Sequence, residues 1–188
     1  MRVGIDEVVG LVEAAPARLG AVKLVAVDGP SGAGKTTAAA RLVEALGVER
    51  TALVPTDHFA TWDEPVSWWP RLVAGVLDPF RRGEPARYRR VEWSDGSPRE
   101  GAEVRLDTPE ILVLEGVSSG RRSIGPLLSV LVWVRSGDRE SRLIRAVARD
   151  GEACREPLRR WQDFESGWFA VDGTASRADC ALSGHRRE

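Results

Sequence analysis

Asp28-Gly-Pro-Ser-Gly-Ala-Gly-Lys-Thr-Thr37 (DGPSGAGKTT) is the stretch from which the rest of the chain can be read. Gly29 to Thr36 fit the pattern G-x-x-x-x-G-K-[ST], and the flanking residues supply the setting that pattern needs. Upstream, Lys23 to Asp28 (KLVAVD) is a short, mostly apolar run, the form expected of a strand buried on both faces. Downstream, Lys35 to Leu46 is an Ala-rich helical segment that stops at Gly47. Glycines allow backbone angles at which successive N–H groups converge on phosphate oxygens, and the helix points its positive end at the same anion. Gly29, Pro30, Ser31, Gly32, Ala33, Gly34, Lys35, Thr36 and Thr37 are therefore the candidate phosphate-binding residues. Lys35 adds a mobile positive charge for the outer phosphates, and the Thr36 hydroxyl suits Mg²⁺ bridging them. Chance would produce the four fixed positions in fewer than roughly one chain in a hundred of this length.

Outward from this loop, Thr51 to Pro55 (TALVP), Ile111 to Glu115 (ILVLE) and Val130 to Val134 (VLVWV) are further candidate strands, with helical segments between several of them. Such alternation predicts a doubly wound α/β fold, a parallel sheet with covering helices. Asp6 to Leu19 reads as a leading helix disturbed by Pro16, Asp138 to Asp150 and Glu156 to Phe169 as consecutive helices, and Ala178 to Leu182 as a last short strand. The stretch 64–107 is less regular, punctuated by five prolines and rich in tryptophan. Within it, Val66 to Phe80 is a candidate helix, and Arg87 to Trp93 can pair with Ala102 to Leu106 around the turn-forming Ser94 to Pro98. An insertion of this size between core strands is where an acceptor would be met. At 188 residues and 43% hydrophobic composition the chain fits a single domain spanning 1–188.

Twenty-seven basic and 28 acidic residues leave a net charge of −1, so no global field recruits nucleic acid or an anionic membrane. Lys23 and Lys35 are the only lysines, which makes Lys35 in its glycine-rich setting more telling than any one arginine. Cys154 and Cys180 are too few for a disulfide framework and lack metal-ligand spacing. No signal-peptide layout or membrane-length apolar run is present, so a soluble cytoplasmic protein is expected. Composition says nothing about oligomeric state.

Phosphoryl transfer needs a group to orient the acceptor hydroxyl and carboxylates to hold the metal, usually at the carboxyl ends of strands facing the phosphate loop. Asp57 follows the second candidate strand in PTDHF, and Glu115 ends the third in ILVLEG. Against this, Asp57 is also a good capping residue, and a Glu-Gly pair can simply end a strand. Asp28 directly precedes the loop, where bracing it is an equal alternative. His58 adjoins the proposed base, and a lone histidine is more often structural; His185, in a polar tail, is expected to be uninvolved.

With these segments in order, the sequence resembles the uridine kinase and phosphoribulokinase family of P-loop kinases. The resemblance rests on DGPSGAGKTT at Asp28 to Thr37, the Asp-x-Phe segment at Asp57 to Phe59, and Glu115-Gly116. It continues in the R-L-x-R-x-x-x-R-D pattern at Arg142, Leu143, Arg145, Arg149 and Asp150, and in Ala178-Asp179. It implies a P-loop NTPase fold with a five-stranded parallel core, an acceptor-binding insertion at 64–107 and a lid at 138–169. It implies ATP, or GTP, as donor, with Asp57 as general base and Lys35 among the catalytic residues. Thr36, Glu115 and Asp57 would serve Mg²⁺, and Arg149, with Arg145 or Arg155, would cover the phosphates. An arginine-rich solvated helix would show the same arginine spacing.

The resemblance weakens on the acceptor side. Where uridine and cytidine kinases carry His-Pro-Asp-x-x-Asp, this chain has Glu64-Pro-Val-Ser-Trp-Trp69, with Asp63 and Glu64 nearby, and the nucleoside-contacting lid arginine falls on Ala146. Trp62, Trp68, Trp69, Tyr88 and Trp93 offer a stacking surface or plain packing, and Arg87, Arg89 and Arg90 an anionic-acceptor site or a solvated strand edge. The leading expectation is a kinase acting on a hydroxyl of a nucleoside-like small molecule. A nucleoside monophosphate kinase and a nucleotide-dependent regulatory ATPase are the alternatives.

Overall fold

The computed structural model describes residues 3–94 and 97–184. Its strands, in chain order, are β1 (Lys23–Asp28), β2 (Thr51–Pro55), β3 (Ala86–Ser94), β4 (Ser97–Leu106), β5 (Ile111–Glu115), β6 (Leu128–Arg135) and β7 (Cys180–Ser183). Five of them form one sheet in the order β2-β5-β1-β6-β7, and every pairing is parallel. This is the expected five-stranded parallel core. β1 lies at its centre because its side chains are apolar on both faces. Val25 and Val27 join one buried cluster with Val8, Val12 and Leu42, whereas Leu24 and Ala26 join another with Phe80, Leu112 and Leu114.

The first cluster is covered by α1 (Ile5–Ala14) and α2 (Lys35–Leu46). α1 is shorter than the predicted Asp6–Leu19. Ala15 has an extended backbone (ψ 145°), as expected of a residue whose successor, Pro16, crowds the helical region. The chain then returns through a bridge between Leu19 and Val22. Lys23 serves the fold: its Nζ donates to the Val12 and Glu13 carbonyls at 2.9 and 2.7 Å, satisfying the open end of α1 with a cation.

The second face is covered partly by the insertion. α3 (Trp69–Leu72), a π-helical turn (Val73–Leu77) and α4 (Asp78–Arg81) run on from one another, in place of the predicted helix Val66–Phe80. Pro79 lacks an N–H and its ring crowds the carbonyl one turn back, which accounts for the widened turn before it. The hairpin partner strands pair from Ala86↔Leu106 to Ser94↔Ser97, with an irregularity between Arg89 and Val91. The predicted turn Ser94 to Pro98 is tighter than expected: Ser94, Ser97 and Pro98 belong to the paired strands, and residues 95–96 fall outside the described residues, as does His185.

After β6 come α5 (Arg139–Asp150), capped by the Asp138 carboxylate on Ser141 N–H at 2.8 Å, and α6 (Arg155–Asp172). α6 runs one turn beyond the predicted end, to Gly173 in a left-handed conformation (φ 67°). A short α7 (Thr174–Arg177) leads to β7, which starts later than predicted. Asp179 precedes that strand, and its carboxylate accepts the Leu131 N–H at 2.7 Å, fixing the chain to the neighbouring β6. Among the described residues no helix is long and apolar enough to cross a membrane.

Candidate active site

The parallel register sets Val27 and Pro55 opposite Glu115, so three strands end level with one another. The segments leaving those strands therefore meet at one edge, the usual place for a site on such a sheet. The phosphate loop follows β1, Asp57 sits in a single 3₁₀ turn (Thr56–His58) after β2, and Glu115 is the last residue of β5. A cleft of about 920 Å³ opens there, lined by Lys35, Thr36, Asp57, Glu115, Arg145 and Arg149 among others.

The loop is held by backbone contacts that tolerate no side chain. A Cβ at Gly29 would lie 2.1 Å from the Val134 carbonyl oxygen, and one at Gly32 2.3 Å from that of Arg142. Gly34, with φ 90°, is the N-cap of α2, and the Lys35 ammonium rests 3.2 Å from the Pro30 carbonyl. Asp28 resolves to the bracing role. It is fully buried and accepts N–H groups of Gly29, Ser118 and Gly120 at 2.7, 3.1 and 2.8 Å. Burial pushes its carboxyl up to about 7 against the pull of those donors and Lys35.

Glu115 is 6% exposed, and burial raises it to about 6, with Lys35 lowering and Asp57 further raising it. The Thr36 hydroxyl lies 3.4 Å from its Oε2. Gly116 after it has φ 136°, and a Cβ there would be 1.8 Å from Thr56 Oγ1, which is the physical reason for the Glu-Gly pair. Glu115, Asp57 and Thr36 fit a hard divalent cation. They offer oxygen donors, and Mg²⁺ needs only one or two carboxylates when phosphates and water complete its shell. Among the described residues no group of three or more His, Cys, Asp or Glu that could hold a metal occurs.

The arginines separate. Arg149 is exposed at the cleft, its guanidinium forked onto Asp150 at 2.6 and 2.7 Å, and its charge acts on Asp57 and Glu115. Arg145 is tied to the loop itself, with Nε donating to the Gly32 carbonyl at 3.0 Å and Nη2 to Ser136 O at 3.0 Å. Arg155 pairs with Glu152 away from the cleft lining and is not brought to the site.

The aromatic cluster also divides. Trp62 and Trp93 line the cleft and pack edge-on at 4.9 Å, whereas Trp68 is 1% exposed in the core and Tyr88 is 8% exposed. Trp69 faces the Arg121 guanidinium at 4.1 Å. His58 bonds the Tyr88 hydroxyl at 2.9 Å and is lowered chiefly by burial, so it joins the turn to the hairpin.

Two residues of the site escaped the sequence reading, both on α6. Trp161 adds a third ring to the cleft, 5.9 Å from Trp62. Glu165, 2% exposed, accepts both the Ser31 N–H (2.9 Å) and the Ser31 hydroxyl (2.8 Å), clasping the phosphate loop. The one signal available was the spacing of Leu158, Trp161, Gln162 and Glu165, which lie on one helical face.

No protein-family model matches the chain, and no curated protein matches it. Solved structures do. One, described as a possible uridine kinase from Bacillus stearothermophilus, aligns with a TM-score of 0.65 at 17% identity over 95% of this chain and 96% of its own. A D-glycerate 3-kinase from Cryptococcus neoformans var. grubii aligns with a TM-score of 0.58 at 15% identity over 84% of each chain. The parallel sheet, the glycine loop at its central strand and these two likenesses lead to one statement: the chain has the fold of the uridine kinase-like P-loop kinases.

Proposed function

We propose that this protein is a Mg-ATP-dependent kinase that transfers the γ-phosphate to a hydroxyl of a small, ring-bearing, nucleoside-like acceptor. The observation that carries the proposal is the convergence of Lys35, Thr36, Asp57, Glu115 and Arg149 on one cleft. The names of the structural neighbours, a possible uridine kinase and a glycerate kinase, support a small-molecule kinase, and the ring-bearing acceptor rests on the aromatic walls of the cleft.

In this reading Asp57 accepts the proton of the acceptor hydroxyl as its oxygen attacks the γ-phosphorus. The new O–P bond forms as the bond to the β,γ-bridging oxygen breaks, and ADP leaves with that electron pair. Lys35 and Arg149 offset charge on the transferring group, and the loop N–H groups hold the phosphates that remain. Thr36 and Glu115, with Asp57 beside them, would hold Mg²⁺, which supplies charge neutralisation across the outer phosphates. Trp62, Trp93 and Trp161 give the acceptor side flat apolar walls, which supports a ring over an open chain. The insertion 64–107 serves as the acceptor side and 138–169 as the lid.

Asp57→Asn tests the assignment. With a panel of nucleosides and sugars, kcat should fall by about 10²-fold or more while ATP binding is retained. Undiminished turnover in that variant would remove Asp57 from the mechanism.

A further inference from the structure

On the far side of the segment that carries Asp57 lies a second cavity, of about 610 Å³, between the hairpin and the π-helical turn. The two cavities share a wall. Asp57, Ala60 and Trp62 line the cleft, whereas Phe59 and Thr61 line the second cavity. Five arginines border the latter, at 71, 87, 89, 90 and 99, against one carboxylate, Glu100. In a chain of net charge −1 this is a marked local concentration of one sign.

The existing ion pairs leave much of that charge available. Arg89 is paired with Glu100 at 3.0 Å and Arg90 with Glu92 at 2.7 Å. Arg71 reaches Glu64 only at 3.9 Å, and among the described residues Arg87 and Arg99 are in no ion pair within 4.0 Å, although Arg87 acts on the Glu103 carboxylate and Arg99 stands opposite Glu92 across the hairpin. The field is felt locally, since Arg90 helps to hold the neighbouring His58 below its ordinary range. The floor is apolar, with Phe59, Ala74 and Val91, and Gly75 lets the π-turn approach β3 so closely that a Cβ there would lie 3.0 Å from the Arg87 carbonyl oxygen. A widened helical turn at a cavity wall is a common mark of a functional site.

We propose that this cavity is a second anion site, separate from the phosphate loop, that takes a phosphorylated small molecule. Its phosphate meets Arg71, Arg87 and Arg99, and its body rests on the apolar floor. Arginine suits this role because its planar fork pairs two N–H groups with two phosphate oxygens. An occupant presses on the wall that carries Asp57, so the site is placed to report on the acceptor side.

The test is calorimetric titration of the full chain with pyrophosphate, run on the wild type, on Arg87→Ala/Arg99→Ala and on Lys35→Ala. The double variant should lose one site, or bind there more than about tenfold more weakly, while Lys35→Ala keeps that site and weakens the other. Equal binding by wild type and double variant overturns the proposal. Loss confined to Lys35→Ala likewise overturns the second site but leaves the nucleotide reading standing, whereas loss confined to the double variant does the reverse, so the two ideas fail separately. Hydrogen exchange on the wild type needs no variant: pyrophosphate should protect residues 71–75 and 87–91, and protection confined to the phosphate loop overturns the site.

Discussion

Glu115 is a carboxylate held where the fold alone would favour a neutral group. Burial and the nearby charge of Asp57 raise its carboxyl from the ordinary 4.5 to about 6, so the folded chain binds that proton more tightly than the unfolded chain. The associated stability is fully present below the ordinary pKa and is lost as pH rises through about 6. Asp28 behaves likewise through about 7. The free protein should therefore lose stability between about pH 5 and about pH 8 on account of these two groups. Glu115→Gln should raise the melting temperature at the upper pH, by at most about 2 kcal/mol of stability, and have little effect at the lower pH. The same variant should lose Mg-dependent phosphate transfer. A gain in stability with a loss of activity marks a carboxylate retained for the site; destabilisation at both pH values would mean that Glu115 serves the fold.

α6 is the element whose role is least visible in its own sequence. It pairs with α5 through reciprocal contacts of Gln162 and Arg139, adds Trp161 to the cleft, and clasps the phosphate loop through Glu165. Both Ser31 donors end on one buried carboxylate, and a glutamine would remove the negative charge that strengthens those bonds. Glu165→Gln should raise KM for ATP roughly tenfold, the equivalent of one lost charge-assisted hydrogen bond, while KM for the acceptor stays near its wild-type value. Parallel loss on both substrates would point to general unfolding. By contrast, β1, β2 and β5 and the helix after the loop were legible to the residue, because each is a short apolar run or an Ala-rich stretch ended by Gly or a charge. The π-turn was not legible: Pro79 announces a disturbance, but packing against β3 decides that the helix widens and continues.

For the whole molecule, the nucleotide reading predicts a stabilisation that depends on ligand concentration. A non-hydrolysable ATP analogue with Mg²⁺ at a hundred times its Kd should add about 2.7 kcal/mol, a shift of roughly 5–10 °C in the melting temperature. A melting curve that does not move would remove the nucleotide from the account. The succession of core strands along the chain, the phosphate loop and the placing of Asp57 and Glu115 at strand ends were legible in the sequence itself, because each depends on local chemistry: apolar runs, glycine at positive φ, and charge at a strand end. Which partners surround that loop was decided only by the tertiary structure. The register that levels β1, β2 and β5 brings Asp57 and Glu115 to Thr36, and the packing of α6 carries Glu165 across 134 residues of chain to Ser31. Packing likewise sends Trp62 and Trp93 into the cleft and Trp68 into the core, although all three are the same residue type within one insertion and its approach. Burial and long-range contact are properties of the folded chain as a whole, and no local pattern of residues encodes them.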